Sequence, residues 1–223
     1  MADTQNFDKL NILKRRSIPY EEYFGDMELT EKQKKNRMST VLILEDYIMI
    51  FFDLIEQGAN EATIKQEMVY MIYELVDDEQ FFADDERQES KYVTSLVKEL
   101  YESTVENLEK SPQDYDYTGT KPYWVSEDRA KFVAENESNT LWASKEYIEA
   151  KEQGKTHKIW MAYPDDRVRL THQDVDGAKI PLDAYFDVGR ARMLYPKDVT
   201  SELSTGAECP EEVINCRCAV KYV

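Results

Sequence analysis

The chain has 223 residues, 42% of them apolar and 33% charged, with a net charge of −17. That apolar share supports a packed core and excludes a disordered chain, while a mean hydropathy of −0.67 points to long helices with broad wet faces. The excess of acid excludes broad binding to a phosphate backbone, which needs clustered Lys and Arg to displace counterions.

The acid is local. Residues 1–40 hold 8 basic and 7 acidic side chains, residues 41–153 hold 10 and 27, and residues 154–223 hold 10 and 11. The basic stretches 14–16 and 32–37 read as solvated turns flanking helices. Three cysteines, none before residue 200, make no disulfide framework and fit synthesis in a reducing cytoplasm. The start MADTQNFDKLNILKRRS lacks the apolar stretch of a signal peptide. The most apolar run, residues 41–55, is broken by Glu45, Asp46 and Asp53 and is too short to cross a bilayer.

Residues 1–26 read as a flexible leader with Tyr20, Tyr23 and Phe24 after Pro19. Thr30 and Gln33 form a capping-box signal for a first helix, on Met38, Val41, Leu42, Ile48, Phe51, Phe52 and Ile55, that runs to Gly58. Asn60 caps a second helix through Ile64, Met68, Met71, Ile72 and Leu75. A third runs from about Asp85 to Lys110 on Val93, Leu96, Val97, Leu100 and Leu108, stopping before Pro112.

The text SPQDYDYTGTKPY, residues 111–123, has the composition of a loop or linker. Ser126 then caps a fourth helix to about Gln153, with Phe132, Val133, Leu141, Trp142 and Ile148 on one side and Gly154 as its stop. Beyond Gly154 the period changes: residues 157–163, 178–182, 192–195 and 213–222 favour strands, and 166–174 a helical turn or short helix. The expected fold class is α+β, a mostly helical N-terminal body followed by a small α+β C-terminal module. The expected divisions are a leader at 1–26, a helical region at 27–122 and a C-terminal domain at 123–223.

The last third carries a pattern, W-x4-DDRVR-x2-H-x4-G, followed by PLDAYF, MLYP and VINCRC. Through Trp160, Asp166, Arg169, His172, Gly177, Phe186, Pro196 and the run Asn215, Cys216, Arg217, Cys218 it resembles the C-terminal domain of phage Mu F-like minor head proteins, the head morphogenesis proteins of tailed phages. A looser similarity reaches back through residues 134–154, where AENE replaces the family's more usual ARTE-like text. The resemblance implies a few-copy procapsid component at the portal vertex, with the portal protein and the major capsid or scaffold protein as partners. It implies a place in the virion, inside the capsid, after assembly in the host cytoplasm, and a part in DNA packaging or ejection. An acid body suits a protein that shares a DNA-filled shell without sticking to the genome. Tyr20, Tyr23 and Phe24 are then the expected contacts of the leader with a partner. Two rivals are a toxin or effector built on the same domain type and a zinc-stabilised interaction module acting in the host cytoplasm.

Both histidines and all three cysteines follow Gly154, so metal or thiol chemistry belongs there. On an extended backbone Cys216 and Cys218 leave one face. With His172 and Cys209 they make a Cys3His set of the kind a structural zinc accepts. Free buried thiols, or a Cys209 disulfide in the virion, are the alternatives. Arg217, on the opposite face, is expected to pair with Glu211 or Glu212. Asp166, Arg169 and His172, three apart, share a helical face where Asp or Arg orients the imidazole. His172 as a general base also needs a nucleophile, and no GxSxG, Walker loop or HExxH is present. HQD at His172 misses the zinc-deaminase pattern by an Asp where Glu belongs. The three residues are therefore expected to tie the module together, with no catalytic residues, no enzyme activity and no cofactor beyond a structural zinc.

Overall fold

The computed structural model describes residues 29–83, 85–163 and 167–223, together with Phe24 and Met27. Four long helices each begin at a side-chain cap. The Thr30 hydroxyl accepts the Gln33 N–H at 3.3 Å while the Gln33 side chain accepts the Thr30 N–H at 2.9 Å, launching α1, Glu31–Glu56. Asn60 caps α2, Glu61–Glu79, Asp85 caps α3, Glu86–Lys110, and Ser126 caps α4, Glu127–Glu152. Gly154 takes φ +70° just past α4, a left-handed conformation that costs glycine little and turns the chain off the helix.

These helices share one apolar core. Val41, Leu44, Ile48, Phe51 and Phe52 of α1 meet Ile64, Met68 and Ile72 of α2, Val93, Val97 and Leu100 of α3, and Ala130, Leu141 and Trp142 of α4. Each large apolar side chain so buried stabilises the fold by about 1.5–3 kcal/mol. Phe24 and Met27 belong to the same core. Phe24 is therefore an internal contact, and not the exposed partner contact its place in the leader suggests; Tyr20 and Tyr23 lie outside the described residues. The core also takes residues from both sides of the 122/123 junction, because Val125 in a short turn, Tyr123–Val125, packs into it ahead of α4.

Two details of α1 differ from the sequence reading. Leu42 is 57% exposed, and Leu44 occupies the core position instead. Apolar residues surround this part of the helix, so their spacing alone leaves the inward face open by one residue. Arg37, expected in a solvated turn, is fully buried. It lies one turn before Val41 on the inward face, where its guanidinium grips Glu146 of α4 at 2.6 and 3.0 Å and donates to Asn139 at 3.0 Å. Such a fork on a carboxylate satisfies the buried charge. Trp142 donates to Thr40 beside it at 3.0 Å, so the α1–α4 contact is an apolar face with a polar seam.

The C-terminal module is antiparallel. β1, His157–Met161, pairs on one side with β2, Lys179–Pro181, and on the other with β5, Ala219–Tyr222. A separate ribbon joins β3, Phe186–Val188, to β4, Ala191–Met193. Short helices α5, Leu170–Gln173, and α6, Pro210–Val213, lie between. The α+β class and most strand positions agree with the sequence reading. β3 is an addition to it, and residues 213–222 are corrected: Pro210 opens a helical turn, and only the last four of those residues, 219–222, form a strand.

Candidate metal centre

A second apolar cluster fills the module, made of Trp160, Phe186, Val188, Ala191, Met193, Val213 and the three cysteines. β1 sends Trp160 into it, fully buried. The Trp160 carbonyl accepts the N–H of Gly177 at 2.9 Å, and the Trp160 N–H donates to Ala178 at 3.1 Å, which closes the segment carrying α5 back onto β1. Gly177 sits at φ +71°, the conformation that this return demands. α5 thereby delivers His172 edge-on against Trp160, with ring centres 5.7 Å apart, while Phe186 of the ribbon flanks the indole at 5.1 Å.

The chain reaches the same point again after α6. Asn215, at φ +60°, turns it inward, and three side chains pin the turn. Asn136 accepts the Asn215 N–H at 2.8 Å, Asn139 donates to the Cys216 carbonyl at 3.2 Å, and Arg169 donates to the Ile214 carbonyl at 2.5 Å. Cys216 and Cys218 both end up buried against His172, two residues apart on an extended stretch ahead of β5. His172 Nδ1 lies 3.2 Å from the Cys218 sulfur and 3.5 Å from that of Cys216. All three ligand atoms fall within 4.8 Å of one another.

The other face of the imidazole is also engaged. His172 Nε2 is 3.1 Å from the Glu212 carboxylate, whose same oxygen accepts from the Thr171 hydroxyl at 2.8 Å. An ionised carboxylate only accepts, so in the neutral ring Nε2 carries the proton and Nδ1 presents its lone pair to the sulfurs. Gly189, in the β3–β4 turn, leaves room for that carboxylate; a β-carbon there would stand 2.2 Å from a Glu212 oxygen.

Charge is shared across the cluster. Burial pushes the Cys216 thiol up, but the hydrogen bond from Cys218 and the imidazolium of His172 outweigh it and hold the thiol well below its ordinary range. The bond to Cys216, with burial and the repulsion of a Cys216 thiolate, holds Cys218 well above it. Burial lowers the His172 pKa and the neighbouring Cys216 thiolate more than restores it, so the net direction is upward.

Two chemistries suit a Cys–His–Glu array. It resembles a thiol nucleophile with its base and an orienting acid, and it resembles a metal site with a carboxylate behind the histidine. His172 and Cys216 are 1% exposed and Cys218 is 4% exposed, so the sulfurs lie closed off from solvent.

Of the residues singled out from sequence, His172, Cys216 and Cys218 meet. Cys209 is buried in the same apolar cluster, but its sulfur is outside the group of three and lies beside Arg190. Asp166 lies outside the described residues. Arg169 precedes α5 and braces Ile214, leaving Glu212 to orient the imidazole. Arg217 stacks over Tyr163 at 3.7 Å, while Glu211 pairs with Arg190 and Glu212 with His172, which corrects the expected Arg217–Glu pairing. Pro196 is buried in the loop whose next residue, Lys197, donates to Asn136. Glu212 is the residue the sequence reading misplaced. Its signal is Pro210, which starts a helical turn and carries Glu212 back over His172.

Comparison with known families gives one result: a family model described as Phage Mu protein F like protein matches residues 51–221. No curated protein and no solved structure matches.

Proposed function

The chain belongs to the phage Mu F-like family, a family of phage head morphogenesis, and from that premise we propose that it is a minor head protein acting in procapsid assembly at the portal vertex. The observation that carries the reading is the extent of the match. Residues 51–221 take in α2, α3 and α4 as well as the module, so the helical body is part of the family's own unit and not an unrelated effector domain joined to it.

The family is structural rather than catalytic, and the closed Cys–His cluster supports the same role here. The acid of residues 41–153 favours protein partners over packaged DNA, since like charges repel inside a filled shell. The portal protein and the major capsid or scaffold protein are the partners proposed, with the capsid interior as the location. Among the described residues no helix is long and apolar enough to cross a membrane.

Such contacts are supported by α1, where Leu42, Ile43 and Ile50 are 57%, 38% and 48% exposed. Scattered apolar residues are ordinary on a surface, but these three share one helix facing away from a complete core. Mass spectrometry of purified procapsids is the test. The chain is expected to be present in a few copies per head and to drop several-fold when Leu42 and Ile50 are both changed to Ser. Particles that lack the chain altogether refute the assignment.

A further inference from the structure

We propose that His172 Nδ1 and the sulfurs of Cys216 and Cys218 bind one zinc ion, which fastens the C-terminal strand to the body of the module. The distances carry the proposal. A tetrahedral zinc about 2.3 Å from sulfur and about 2.0–2.1 Å from nitrogen sets each N···S pair about 3.5 Å apart. The two Nδ1···S distances are 3.2 and 3.5 Å, so the donors already stand at the spacing of a shared ion.

Three further features fit. Glu212 holds Nε2 at 3.1 Å and is itself held by Thr171, the carboxylate–histidine support that orients a metal-binding ring. The Trp160 indole N–H is fully buried and makes no well-formed hydrogen bond, although it borders the Cys218 sulfur. A metal-bound thiolate is a far better acceptor than a thiol, so metal binding would supply the partner this N–H lacks. Finally, a dication with two thiolates and a neutral imidazole sums to zero charge, which suits a closed apolar cluster; both sulfurs are deprotonated in the bound state.

The site joins elements far apart in the chain, since His172 is 44 residues from Cys216 and 46 from Cys218. It therefore ties α5 and β1 to the segment that becomes β5. Three donors leave one of zinc's four positions to a donor outside this set. The inference stands apart from the role in head assembly, because it is read on the isolated chain.

The test is metal analysis of the full-length protein purified under reducing conditions from zinc-supplemented cells, followed by replacement with cobalt(II). One zinc per chain is expected, and cobalt should give sulfur-to-metal charge-transfer absorption. Cys216→Ser and Cys218→Ser should each lose the metal, Cys209→Ser should keep it, and Glu212→Gln should keep the stoichiometry with about 10–100-fold weaker affinity. A folded wild-type chain that takes up neither ion, or takes up cobalt without the charge-transfer band, overturns the proposal. So does loss of metal in Cys209→Ser with retention in the Cys216→Ser, Cys218→Ser double variant. If the serine variants fail to fold, the cobalt spectrum of the wild-type chain and its titration against a coloured chelator decide the matter.

Discussion

The helical body and the C-terminal module are held together by different physics. The body buries large side chains from four long helices in one apolar core, crossed by a polar seam at Arg37 and Glu146. Among the described residues the module has a core of nine, three of them cysteines, and surrounds it with buried polar groups that include Lys158, His172, Lys197, Asp198 and Glu212. Area stabilises the first; directed hydrogen bonds specify the second. A large, non-directional core tolerates small adjustments, whereas a buried polar network fails when one member loses its partner.

The largest effect is expected from emptying the larger core. Phe51 is fully buried against Phe52 and Tyr101, so Phe51→Ala should cost about 3–5 kcal/mol, read as a lower midpoint in urea denaturation. The loss should spread over all four helices, seen by far-ultraviolet circular dichroism. If helices survive while only the module's near-ultraviolet signal goes, the body is not the single cooperative unit its core implies.

The next effect is at the junction, where Asn136 of α4 acts for the module. Its side-chain oxygen accepts from Lys197 at 2.5 Å and from the Asn215 N–H at 2.8 Å. Asn136→Ala orphans that N–H and removes one acceptor from a buried ammonium, for about 2–3 kcal/mol. Asn136→Asp keeps the oxygen and should recover most of the loss. Equal destabilisation by both variants would mean that packing, and not the acceptor, matters at this position.

A smaller effect depends on pH. Burial lowers the pKa of Lys158 to about 7, against the opposing pull of Asp198 and Asp183. Its ammonium donates to the Leu194 carbonyl at 2.5 Å and lies over the rings of Phe186 and Tyr147, contacts that retain part of the charged form's stability. Between the folded value and the ordinary 10.5 of the unfolded chain, the unfolded state binds the extra proton, so stability rises with pH across that window. A rise of about 1–2 kcal/mol from pH 7 to pH 10 is expected after those contacts are allowed for. Above that range Tyr147 and Tyr195, whose phenols burial pushes up, turn the trend downward, because the folded chain then holds the extra protons. Lys158→Met should raise stability at pH 7 and flatten the rise; an unchanged slope assigns it to other groups.

The same contrast explains what the sequence made legible. Helix starts were readable because a cap is a local event: Thr30, Asn60, Asp85 and Ser126 each act within three residues. The shared face of Cys216 and Cys218 was legible as an alternation of two, and His172 does meet them, but Cys209 of the expected set of four stands apart. Arg37 was not legible, because its burial depends on Glu146 across 109 residues. Nor was Glu212, whose role follows from a single helical turn after Pro210 in a place where alternation suggested a strand. Leu42 and Leu44 show the limit of periodicity in a helix with apolar residues on several sides. Long-range polar partners have no period, and they are what the module is made of.

The smallest effect compares two caps of the same chemistry in the two settings. Thr30 caps α1 in the open, with a reciprocal bond to Gln33, and Thr30→Ala should cost about 1 kcal/mol or less, because water replaces the lost acceptor. Ser126 caps α4 while 1% exposed; its hydroxyl donates to the Tyr123 carbonyl at 2.8 Å and accepts the Arg129 N–H at 3.3 Å. Water has little access to those two groups, so Ser126→Ala should cost about 1–2 kcal/mol, nearer the upper end for a cap. Thermal denaturation of the pair side by side measures the difference. A cap that fails equally in both places would imply that the α4 start is wetter than its burial indicates, and that the polar groups at the junction contribute less specificity than their geometry suggests.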